Sequence, residues 1–106
     1  NECVVCQNTR DAEGEANGVD EEFYDHAAQW RTWPGYSDAE RIAMEFAHRF
    51  ATDHLELRDD EDFWERAGRH ISDELMTDLA ISCAAWVGMG RMLRTLDIGQ
   101  ICKITL

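Results

Sequence analysis

Cys3 and Cys6 are separated by two valines and followed by Gln7-Asn8-Thr9-Arg10. Thiols at i and i+3 share one face of a helix, close enough to close a small disulfide if the first turn allows it. At a helix N-terminus, unpaired N–H groups and the macrodipole favour a thiolate over a thiol. That combination predicts redox chemistry. Two structural uses compete with it: half of a zinc site, or a disulfide with no catalytic part.

Of the other cysteines, Cys83 lies 77 residues beyond Cys6 and Cys102 a further 19 residues on. This is not the dense framework of a small secreted domain. A lone Cys-x-x-Cys with scattered companions points to a reducing compartment and a reactive pair, hence a cytoplasmic protein. A structural zinc site wants a second ligand pair at similar spacing, and no His-x3-His supplies one. A thioredoxin-like site wants the motif after a strand in a βαβ unit, and no strand alternation precedes or follows it. His48 and His54 are six apart, which does not set them on one helical face as paired ligands. No metal or separate cofactor is expected.

The elements that must carry such a site are those of a single acidic domain, residues 1–106. Hydrophobic residues make up 44% and charged residues 30%, a globular balance. Ten Lys and Arg stand against 22 Asp and Glu, a net charge of −12. Such a surface suits neither phosphate backbones nor anionic membranes, so neither nucleic acid nor membrane is an expected partner. No apolar run approaches the roughly 18 residues of a membrane span, and no signal peptide is visible. The chain opens at Asn1 rather than Met, with its chemistry at residue 3, so it reads as the later part of something longer.

The cysteine motif is expected to continue as a short helix over 4–12, ended by Gly14 and Gly18. Seven acids and no base lie between Asp11 and Asp25, a solvated stretch rather than a metal loop. Asp20 can cap a helix to about Trp30, with Phe23, Ala27 and Trp30 as its apolar stripe. Trp33-Pro34-Gly35-Tyr36 then breaks the chain into an aromatic corner. Ser37-Asp38-Ala39-Glu40 is a capping box, opening a helix to about His54 with Ile42, Ala43, Phe46, Ala47 and Phe50 inward. Leu55 to Asp62 reads as a connection. Asp59 or Asp60 caps a helix to about His70, with Phe63, Trp64 and Ala67 inward.

Ser72 caps the last long helix, with Asp73 and Glu74 suited to its first turn. From Leu75 to Leu96 this helix is apolar on most faces, so it is expected at the centre of the fold or against another subunit. Gly88 and Gly90 are expected to permit close helix approach, and Cys83 to be a small packing group. Residues 98–106 read as an extended tail carrying Cys102. The fold class is all-α.

Taken together, Cys3-x-x-Cys6-Gln-Asn-Thr-Arg10, Gly18-Val-Asp-Glu-Glu22, the aromatic break, Ser37-Asp-Ala-Glu-Arg41, Ser72-Asp-Glu-Leu75 and Gly90-Arg91 resemble the AhpD-like (alkylhydroperoxidase D) branch of the carboxymuconolactone decarboxylase family. The resemblance implies an AhpD-like helical domain that lacks the family's preceding part, assembled as a homo-oligomer. It also implies reduction of alkyl hydroperoxides: Cys6 would become the sulfenic acid, Cys3 would donate the proton and then resolve it to a Cys3–Cys6 disulfide. A dithiol reductant of lipoyl or thioredoxin type would reset the pair. The lyase activity that gives the family its name does not depend on a cysteine pair.

The chain departs from the family at two points. Arg10 stands where the fully active form has a histidine; arginine can favour the thiolate but stays charged and relays no proton. The family's upstream glutamate would precede residue 1, and Glu2 is too close to Cys3 to replace it. A weaker peroxidase, or a different substrate, is therefore expected.

Overall fold

A computed structural model of the chain describes residues 21–98. Among these residues every regular element is helical: α1 (Glu21–Asp25), a 3-10 turn (Ala27–Gln29), α2 (Asp38–Thr52), α3 (His54–Arg58), α4 (Glu61–His70) and α5 (Asp73–Thr95). The all-α expectation holds for them. The helix and loop expected over 4–20 and the tail from 99 onward lie outside the described residues.

The helix expected to run to Trp30 stops at Asp25. From His26 the hydrogen bonding tightens to i+3, with the Gln29 N–H donating to the His26 carbonyl at 2.8 Å and the Thr32 N–H to that of Gln29 at 3.0 Å. Aromatic packing accounts for the early stop. The His26 ring stacks on Trp33 with centroids 4.2 Å apart, and Trp33 meets Tyr36 edge-on at 4.7 Å. Tyr36 is buried, abuts Phe23, and donates its hydroxyl proton to the Phe23 carbonyl. Arg41 closes the corner from α2 by donating to the Trp33 carbonyl at 2.6 Å. Gly35 is obligatory here, since a Cβ would come within 2.3 Å of the Trp33 ring. The expected aromatic corner is present.

The capping box forms as the sequence indicates: the Ser37 hydroxyl accepts from the Glu40 N–H at 3.2 Å, and the Glu40 carboxylate accepts from the Ser37 N–H at 3.1 Å. It starts α2, whose buried face carries Ile42 and Phe46. The helix ends at Thr52, two residues before the expected His54. Asp53 leaves helical geometry at φ −151°, while its N–H still satisfies the Arg49 carbonyl at 2.8 Å. The stretch read as a plain connection then contains the single turn α3, anchored by Leu57 at 3% exposure. One buried leucine among charged neighbours has no periodicity to announce it, so only packing reveals the turn.

Asp60 caps α4 by accepting the Phe63 N–H at 3.0 Å, and acids in the first turn with Arg69 and His70 in the last suit the helix dipole. Phe63 and Ala67 face inward, but Trp64 does not: it is 39% exposed. Its indole N–H donates to the Leu57 carbonyl at 2.9 Å, which ties α4 to the α3 turn instead. Ser72 accepts the Leu75 N–H at 3.1 Å and starts α5.

The chain divides into two compact units, one of them Glu22–Cys83. Its core is Ile42, Phe46, Leu57, Phe63, Ala67 and Ile71, with Met76, Leu79, Ala80 and Cys83 of α5 packed against it. Leu75 and Ile81 on the same stretch of helix are exposed. In the remaining described part of α5, Gly90 is buried whereas Met89 and Met92 are exposed. The helix expected at the centre of the fold or against another subunit is therefore covered along one stripe only among the described residues. Gly88 does not mark a close approach, because a Cβ there meets no atom within 4 Å. No described helix is long and apolar enough to cross a membrane.

Candidate functional site

The sequence-derived site residues Cys3, Cys6 and Arg10 lie outside the described residues, as do Glu2 and Cys102. Cys83 is described. It is half-buried on α5 among the apolar side chains of the core, and burial pushes its thiol pKa up. A thiol held in the protonated form is a poor nucleophile. Cys83 is thus the packing group that its place in the helix indicated.

The strongest electrostatic feature among the described residues is a network joining α2 to α4. Arg49 donates to Glu45 at 3.3 Å, to Asp53 at 3.3 Å and to Asp60 at 2.8 Å. Arg66 reaches the same Glu45 carboxylate at 3.2–3.3 Å and Asp62 at 3.1 Å. Glu45 and Arg49 are the sheltered centre, with side chains 15% and 17% exposed, whereas Asp62 at the rim is 80% exposed. The Arg49 and Arg66 guanidinium carbons lie 5.9 and 5.7 Å from the Phe63 ring centroid, so the network sits on the largest buried side chain.

The pKa shifts follow these contacts. Hydrogen bonding from Arg49, and then from the Phe63 N–H, holds the Asp60 carboxyl below its usual range. Asp60 in turn raises Arg49, and Glu45 raises Arg66. Asp60 and Glu45 are thus engaged by arginine, which cannot release a proton near neutral pH. The arrangement clamps two helices and provides no general acid or base. Sequence reasoning missed this network, although its local pairs carry a signal there, the i,i+4 spacings Glu45–Arg49–Asp53 and Asp62–Arg66. The cross-helix pairs Glu45–Arg66 and Arg49–Asp60 carry none, because they depend on how α2 and α4 pack.

Beside the network lies an open groove of about 520 Å³, lined by Trp30 and Arg31 on one side and by Glu45, His48, Arg49 and Thr52 of α2 on the other. The Arg31 guanidinium lies 4.2 Å from the centre of the Trp30 ring, and Trp30 and His48 are 6.3 Å apart in a tilted arrangement. His48 lines this groove while His54 is an exposed residue at the start of α3, so the two do not act together. Among the described residues no three His, Cys, Asp or Glu side chains gather as a metal-ligand set.

Comparison with known proteins finds no family model, no curated protein and no solved structure that matches the chain.

Proposed function

We propose that the chain is an AhpD-like, thiol-dependent peroxidase or dithiol–disulfide oxidoreductase that works in the cytoplasm through Cys6 and Cys3. The observation that carries this reading is the Cys3-x-x-Cys6 pair on a chain whose described elements are all helical. Burial raises the Cys83 thiol pKa, which makes it a weaker nucleophile than an ordinary exposed cysteine.

In this reading the Cys6 thiolate attacks the terminal oxygen of a hydroperoxide, the O–O bond breaks, and the alkoxide leaves as the alcohol after taking a proton from Cys3. The Cys3 thiolate then attacks the sulfenic sulfur of Cys6, which forms the disulfide and expels hydroxide, taken to water by a proton from solvent. An external dithiol returns the two electrons by thiol–disulfide exchange. In this reading Arg10 favours the Cys6 thiolate by charge and relays no proton, so proton delivery rests on Cys3 and solvent and turnover is slow. Peroxide-dependent oxidation of a dithiol tests this: Cys6→Ser abolishes it and Cys83→Ser leaves it intact. Equal activity in the Cys6→Ser protein would overturn the proposal.

Leu75, Ile81, Met89 and Met92 expose large apolar side chains along α5, which supports the self-association that belongs both to the AhpD-like reading and to its alternative, a non-catalytic helical module whose cysteine pair is only structural. The thiols separate the two readings. A Cys6 that titrates at or above the usual thiol value, about 8.5, in a disulfide that cellular dithiols leave intact, favours the module.

A further inference from the structure

We draw no further inference here: the strongest candidate, the open groove between Trp30, Arg31 and the His48 and Thr52 face of α2, has its central cation Arg49 already satisfied by Glu45, Asp53 and Asp60, and nothing in it points to a particular ligand.

Discussion

Phe63 has no exposed surface and carries two guanidinium groups beside its ring, so packing and the ionic clamp depend on the same side chain. Truncation to alanine removes the buried ring and leaves a cavity under Arg49 and Arg66. The expected loss is about 3–5 kcal/mol, read as a fall in the urea midpoint at unchanged slope. Leu57→Ala tests the turn that periodicity did not reveal, with an expected loss of about 2–5 kcal/mol. A loss below about 1 kcal/mol would mean that α3 is an incidental turn rather than an anchor. At Cys83 the expectation is chemical: its thiol, raised by burial, reacts with an alkylating reagent more slowly than an ordinary exposed cysteine.

Two caps govern the elements. Ser37→Ala removes the acceptor for the Glu40 N–H at the start of α2, with an expected cost of about 1 kcal/mol. The second cap, Asp60, has a charge to lose as well as a hydrogen bond. Its carboxyl is depressed in the folded state. The stability it contributes is therefore present above the unfolded carboxylate pKa and is lost as pH falls through the folded value. Asp60→Asn keeps an oxygen for the Phe63 N–H but removes the charge facing Arg49. The variant is expected to lose less stability than the parent between neutral and acid pH, as measured by urea unfolding at several pH values. Parallel curves would mean that Arg49 draws nothing from this partner. Rim pairs such as Arg58–Asp59, at 2.8 Å but with both side chains largely exposed, are screened by solvent and contribute little.

For the whole molecule, α5 is the element whose surroundings matter most. In this 23-residue helix Met76, Leu79, Ala80 and Cys83 pack on the core, while Ile81 is 64% and Met89 56% exposed. Isolated apolar residues on a surface are ordinary, but several on one helix favour association. Under the proposed self-association the parent sediments as an oligomer. Met89→Glu then shifts it toward monomer while helical content is unchanged, because the substituted side chain is exposed. A monomeric parent at high concentration would remove the argument for assembly through this helix.

Local rules decided much of this protein from sequence alone. The capping box at Ser37, the caps at Asp60 and Ser72, the aromatic corner and the inward residues Ile42, Ala43, Phe46 and Phe50 of α2 follow from hydrogen-bonding rules and periodicity over a few residues, and all are present. The Cys3-x-x-Cys6 spacing is also read from sequence alone, and it lies outside the described residues. What sequence could not settle depends on groups far apart in the chain. The stop of α1 at Asp25 follows from His26 and Trp33 stacking, and the single turn at Leu57 from a core built by three other helices. Trp64 turns outward because Leu57 offers its indole a carbonyl. The pairing of Glu45 with Arg66, 21 residues away, exists only once α2 and α4 pack together. Short-range patterns set where helices begin and which faces they bury; only tertiary packing decides which charges meet and which apolar faces stay uncovered.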